Sequence, residues 1–262
     1  MIDLKKKILR AKLNLGLTYE AYRLPERPFS IISDDCWGGQ IYRYHKLPYL
    51  TPTVGLQVFH SDFINFIKNL KKPDFLDFQE VDLTHKYPAI RNPYALLLCV
   101  HYENAKNAID AFQRRYARIV WDNIFYKIDF GKPWYSQDDV NEWNSMALPK
   151  SIALTYRGMR KRGALSGPIH NEVRLQHWWR SGTTMYFASR RYFDLMGFLG
   201  NGKITKSTFL DDCIYKLFTD IWWPSHTFGR NTKHHDSFAR RIDRLLATNP
   251  KSAPQPHEVE TD

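Results

Sequence analysis

The run Phe29-Ser30-Ile31-Ile32-Ser33-Asp34-Asp35-Cys36-Trp37-Gly38-Gly39 follows Pro25 and Pro28 and passes from a short apolar stretch into two acids and two glycines. Such a run predicts a buried strand, Phe29 to Ser33, that feeds a tight glycine-permitted turn, with a helix beginning over residues 40–46. Outward from it, Thr53 to Phe59 is a second strand, and Ser61 with Asp62 caps a helix from Phe63 to Leu70. Tyr94 to His101 is apolar enough for another central strand. After it, Ala105, Ala108, Ile109, Phe112 and Tyr116 share one face of a helix from about Asn104 to Arg118. Ile124 to Ile128 and Ile152 to Tyr156 are further strands. Strands alternating with helices predict an α/β fold: an open, mainly parallel sheet flanked by helices, with a basic helical C-terminal extension.

The periphery reads differently. Leu4, Ile8, Ala11, Leu15, Tyr19 and Tyr22 recur at helical spacing among lysines, so residues 1–28 hold a basic amphipathic helix. Residues 29–203 form the α/β domain, 204–251 a helical extension and 252–262 a disordered tail. Tyr192 to Leu199 is expected to be helical and to stop at Gly200-Asn201-Gly202.

Charge follows the same division. The net charge is +11, yet residues 24–156 carry fifteen charges of each sign. Residues 157–191 hold eight Arg/Lys against Glu172 alone. A basic excess placed this way implies an anionic partner: a phosphorylated substrate, an acidic membrane face or a nucleic acid. Arg190 and Arg191 are candidate phosphate ligands, and Trp178, Trp179 and Tyr186 would be stacking faces in a nucleic-acid or polymer-binding reading. Nucleic acid is the weaker of these, because the glycine-rich turn lies in the charge-balanced half. Three scattered cysteines, Cys36, Cys99 and Cys213, form no disulfide framework and fit a reducing compartment. No run approaches the roughly 20 apolar residues of a membrane span. The expectation is a cytoplasmic protein that at most touches the inner face of the plasma membrane.

Ligands of open α/β sheets bind beyond the carboxyl ends of the strands, which is where Ser33 to Gly39 should lie. Gly38 and Gly39 would let a backbone approach a phosphate or sugar, with Ser33 beside them and Trp37 as a stacking face. Asp34 and Asp35 could hold a divalent metal against the diphosphate of a nucleotide sugar, or simply cap the next helix; no other metal site is expected. Cys36 is a candidate nucleophile, or a small packed residue. Cys99 and His101, two apart on a strand, share a face; His101 could be a general base or an edge histidine. Asp122-Asn123 is a further candidate for base and substrate contact, or a plain turn. His234-His235-Asp236 lacks a fourth ligand at zinc spacing.

At Ile32-Ser33-Asp34-Asp35-Cys36-Trp37-Gly38-Gly39, and again through Leu47-Pro48-Tyr49 and Thr51-Pro52-Thr53-Val54-Gly55-Leu56, the chain resembles the bacterial exopolysaccharide-biosynthesis proteins grouped as "domain of unknown function 1919". His101-Tyr102, Arg114-Arg115, Arg118-Ile119 with Trp121-Asp122-Asn123, and Tyr192-Phe193-Asp194-Leu195 extend the resemblance over roughly Phe29 to Lys203. Family members commonly carry Asn-Asn where this chain has Asp34-Asp35. The resemblance implies a role in capsule or exopolysaccharide synthesis. Three activities are compatible with it. One is sugar transfer from a nucleotide sugar or polyprenyl-diphosphate-linked saccharide, with Asp35, His101 or Asp122 as base and Tyr102 and Asn123 on the substrate. Another is acyl transfer or ester hydrolysis through Cys36 and His101. The third is non-catalytic binding of a polymer.

Overall fold

The computed structural model describes residues 2–58, 62–83, 87–157, 159, 165–176, 182–211 and 213–214. The helices are α1 (Ile2–Arg23), α2 (Trp37–His45), α3 (Asp62–Lys68), α4 (Ala105–Tyr116), α5 (Gln137–Met146), α6 (Gly182–Ser189) and α7 (Leu195–Asn201). The strands are β1 (Ser30–Ser33), β2 (Gln57–Val58), β3 (Gln79–Val81), β4 (Ala89–Asn92), β5 (Ala95–Leu98), β6 (Ile124–Asp129), β7 (Ser151–Tyr156) and β8 (Glu172–Leu175). They divide into two compact units that are not continuous in sequence. One comprises residues 27–39 and 49–178 and holds both sheets; the other comprises 1–26, 40–48 and 179–262 and is helical where described.

The sheet unit contains the expected parallel sheet, in the order β1-β6-β7-β8. Its register places Ser30 opposite Ile124, Ser33 opposite Lys127 and Tyr126 opposite Ser151. All four residues of β1 are buried, as a strand covered on both faces requires. Although β1 is the last strand of its sheet, its edge is satisfied by side chains. Thr51 Oγ1 donates to the Ile31 carbonyl at 2.6 Å, Ser30 Oγ donates to the Leu50 carbonyl, and the Ser33 amide donates to Thr53 Oγ1 at 3.4 Å. The Thr51-Pro52-Thr53 motif thus closes a backbone edge that would otherwise be left unpaired.

A second, wholly antiparallel sheet, β2-β5-β4-β3, accompanies the first. The segment expected to be one central strand, Tyr94 to His101, supplies only Ala95–Leu98, and it pairs here with β4 and β2, outside the parallel sheet. Asn92 makes the difference. Its Oδ1 accepts the amides of Tyr94 and Ala95 at 3.0 and 2.8 Å, so the chain reverses into a β4–β5 hairpin. The strand expected over Thr53 to Phe59 starts only at Gln57, because Gly55 takes a left-handed φ of 74° and bends the chain before it; Phe59 lies outside the described residues. One apolar core runs through the unit, joining Ile32 of β1, Phe63 and Phe66 of α3, Leu97 of β5, Ala108 and Phe112 of α4, and Val140 and Trp143 of α5.

In the helical unit, α1 is a helix as expected, but its buried face differs. Gly16 and Glu20 are buried, whereas Leu15 and Tyr22 are 56% and 90% exposed. Glu20 is drawn inward because Arg190 and His45 meet its carboxylate there. At its end, Arg23 bridges Asp194 at 2.6 Å and Asp211 at 2.5 Å. Asp194 also caps α7 through the Gly197 amide, and Gly202, at φ 75°, stops that helix. No described helix is long and apolar enough to cross a membrane. The Ser61 cap, Trp178, Trp179, residues 160–164 of the basic stretch and everything beyond 214 lie outside the described residues.

Candidate functional site

Parallel strands carry their carboxyl ends to one edge, and at that edge β1 and β6 deliver a buried ionic cluster. Asp34 and Asp35 leave β1; Lys127 and Asp129 stand on β6; Lys132 and Tyr135 come from the connection to α5. Lys127 Nζ lies 3.0 Å from Asp34 Oδ1 and 2.9 Å from Asp35 Oδ2. Lys132 Nζ lies 2.5 Å from Asp34 Oδ2 and 3.2 Å from Asp35 Oδ2. The Asp129 amide donates to Asp34 Oδ2 at 3.1 Å, as does the Tyr135 hydroxyl at 3.3 Å. The Trp37 amide, at the start of α2, donates to Asp35 Oδ1 at 2.9 Å. Sequence reasoning found the two acids but missed both lysines and Asp129. Their signal was a charge, Lys127, inside the apolar run Ile124 to Ile128, with Asp129 directly after it.

The charges tune one another. Burial pushes Asp35 up, but Lys127 and Lys132 outweigh it and hold its carboxyl well below the usual carboxylate range. Burial likewise opposes charge on both lysines, and the aspartates reverse this and keep them ammonium ions beyond the ordinary range. Neither amine is therefore available as a nucleophile near neutral pH. Tyr135 is kept a phenol by burial and by Asp34 and Asp129. Asp129 is the exception. Burial raises it, the lysines pull it down, Asp34 and Asp35 push it up again, and it comes to rest at about 6. Three acids face two ammonium ions, and Asp129 is the one that takes up a proton as the pH falls to about 6. Its Oδ1 accepts the amide of half-buried Gly131 at 2.9 Å, and Cys36 beside Asp35 is also partly exposed.

A divalent metal does not fit between these acids. Asp34 and Asp35 are already engaged by two ammonium groups, two amides and a phenol, and among the described residues no three His, Cys, Asp or Glu side chains gather to hold an ion.

Gly38 and Gly39 do not form a turn. Both lie in the first turn of α2, which begins at Trp37, and neither has a positive φ. Their absent side chains permit close packing instead. A Cβ on Gly38 would stand 2.8 Å from both Ile31 Cγ2 and Ser33 Oγ, whereas one on Gly39 would meet Val54 at an ordinary 3.5 Å. Gly38→Ala should therefore lower stability by about 1–3 kcal/mol and Gly39→Ala by under about 1 kcal/mol in denaturant titrations; equal midpoints would refute the packing account. Trp37 is 1% exposed and so offers no stacking face. Ser33 Oγ is spent within the bend, donating to the Asp35 carbonyl at 2.6 Å and accepting from the Gly38 amide.

The remaining candidates separate. Cys99 and His101 do not share a face, because β5 ends at Leu98. Cys99 enters the core, where burial and Glu80 push its thiol up to about 12, while His101 is exposed. Cys36 and His101 do meet neighbouring residues of one bend. The Cys36 thiol faces the Leu56 carbonyl at 4.0 Å, and the His101 amide donates to the Gly55 carbonyl at 3.2 Å. The Tyr102 hydroxyl donates to the Val54 carbonyl and accepts from buried Arg115, which packs over Tyr49. Asp122 and Asn123 precede β6, so they sit at the amino edge, about 13 Å of strand away from Asp34. Asp122 forms an exposed pair with Arg27, and Asn123 is tied to the Pro28 carbonyl and Lys150. Arg190, in the helical unit, is buried against Glu20 and over the Tyr186 and Phe187 rings; Arg191 is half-buried.

No curated protein matches the chain. Residues 5–200 match the model of a family described as a domain of unknown function (DUF1919), and the chain belongs to that family.

Proposed function

We propose that the protein is a sugar-transfer enzyme of bacterial capsule or exopolysaccharide synthesis, acting on a nucleotide sugar or a lipid-diphosphate-linked saccharide. The observation that supports this reading is the ionic cluster at the carboxyl edge of the parallel sheet, in which Lys127 and Lys132 hold Asp34 and Asp35, and Asp129, 2% exposed, is raised by burial. In the reaction Asp129 takes the proton of the acceptor hydroxyl. The acceptor oxygen bonds to the sugar carbon as the bond from that carbon to the diphosphate oxygen breaks. Lys127 and Lys132 offset the charge of Asp34 and Asp35, which reduces the repulsion an anionic donor meets beside the ionised Asp129. The step uses no metal at these residues.

A second reading, acyl transfer through Cys36 with His101 as base, draws on their shared approach to Gly55 and Leu56. It ranks lower because the thiol contact described is with a backbone carbonyl, which cannot take its proton. One experiment separates the two. Nucleoside diphosphate sugars, added with a chelator, should raise the melting temperature by several degrees at saturation, and Cys36→Ala should bind and turn over the same sugar. A full panel with no shift would overturn sugar transfer, and a folded but inactive Cys36→Ala would favour the acyl reading.

A further inference from the structure

The sheet unit has a second chemically distinct place at the opposite, amino edge of the parallel sheet, where the Trp121-Asp122 motif lies. Trp121 is 37% exposed, set edge-on to Tyr116 with ring centroids 5.4 Å apart, and Lys71 Nζ stands 5.2 Å from its ring centre. Next to it, Arg27 and Asp122 pair at 2.6 Å with side chains 59% and 74% exposed, and Arg118, three residues before the tryptophan, is exposed as well. An ion pair this exposed contributes little to stability, so folding gives no strong reason to hold it there. A ring fixed by a cation and a neighbouring aromatic keeps its orientation, and its open area can stack on the C–H face of a sugar. A guanidinium–carboxylate pair beside it offers donors and acceptors for hydroxyls and a fork for a carboxylate. The surrounding cations favour a polymer that carries negative charge.

We infer that Trp121, with Arg27, Asp122 and Lys71, is a docking platform for an acidic polysaccharide, separate from the site at the carboxyl edge. The choice of a glycan over other polyanions rests on the sugar-transfer reading; the platform itself does not use Asp129. It would hold the growing polymer while the other edge does the chemistry.

Affinity electrophoresis of the full chain through gels containing alginate or hyaluronan, with dextran as the neutral control, tests this. Both acidic polymers should retard the protein and dextran should not. Trp121→Ala should weaken retardation at least tenfold, Trp121→Phe by less, and Lys71→Met should reduce its salt dependence. Unchanged melting temperatures would show that the variants are folded. Retardation by neither acidic polymer would overturn the platform, and so would retardation indifferent to Trp121 or matched by DNA of equal charge. Stabilisation by nucleotide sugars should be the same in Trp121→Ala, so the platform and the sugar-transfer reading can fail independently.

Discussion

Replacing Lys127 by Met should lower the melting temperature at pH 8 by roughly 10 °C, the largest stability loss expected of any single change in the sheet unit. Lys127 is 1% exposed and touches both Asp34 and Asp35, which keep Lys132 as their one cation among the described residues once it is gone. Removing one partner of a buried pair costs about 3–5 kcal/mol, since the other charge stays buried and uncompensated. In a chain of this size each kcal/mol corresponds to roughly 2–4 °C. The pH dependence carries a sign. Asp35 has a depressed folded pKa, so in the wild type its contribution is present above its unfolded value and is lost as pH falls below it. In Lys127→Met the cluster loses one of its two counter-ions, and the folded pKa values of Asp35 and Asp129, which Lys127 lowers, rise. The variant then binds more protons folded than unfolded and regains stability on acidification. The gap between the two proteins should narrow from pH 8 to pH 5, and adding Asp34→Asn should recover part of the loss at pH 8. Equal melting temperatures at pH 8, or a gap that widens in acid, would remove Lys127 from its role.

How far the sequence reveals such a cluster depends on which interactions are local. β6 and β7 were legible because apolar periodicity and burial coincide over five or six residues, and α4 because Asn104 caps an evenly spaced apolar face. Asp34 and Asp35 stood out because acids directly after a buried strand are unusual. Lys127 and Lys132 did not, since they lie more than ninety positions further on and only the parallel pairing of β1 with β6 brings them in. The same pairing sends Asp122 to the far edge, although its residue type and place before a strand resemble a catalytic acid. The two glycines misled for a different reason. Glycine at a turn and glycine under a crowded helix look alike in one sequence, and only Ile31 and Ser33 at 2.8 Å from the missing Cβ decide between them. α5 carried a readable signal that periodicity alone passed over, the Ser136–Asp139 capping box. The β4–β5 hairpin turned on the side chain of Asn92, which a run of apolar residues conceals.

Asp129→Asn should separate stability from activity, raising the first and abolishing the second. The Asp129 carboxyl sits at about 6 in the folded protein against an ordinary value near 4. A carboxyl whose folded pKa is raised binds more protons folded than unfolded between roughly pH 4 and 6, so stability declines as pH rises through that window. By pH 8 the ionised, buried group opposes folding by about 3 kcal/mol. Asparagine has nearly the same shape, can still accept the Gly131 amide through Oδ1, and carries no charge. The variant should be more stable than wild type by about 1–2 kcal/mol at pH 8, lose that advantage near pH 5, and leave the cluster with two aspartates against two lysines. Its sugar-transfer rate should fall at least a hundredfold, because no neighbouring group is poised to take the acceptor proton: Asp34 and Asp35 are held by the lysines, and Tyr135 stays a phenol. A group that costs the fold stability at working pH, yet occupies the edge where parallel sheets bind their ligands, is better explained by chemistry than by architecture. Chemical denaturation of both proteins at pH 5 and 8 measures the first part, and single-turnover transfer the second. An Asp129→Asn protein that is less stable at pH 8, or that still transfers sugar at the wild-type rate, would leave the cluster a structural knot and take Asp129 out of the reaction.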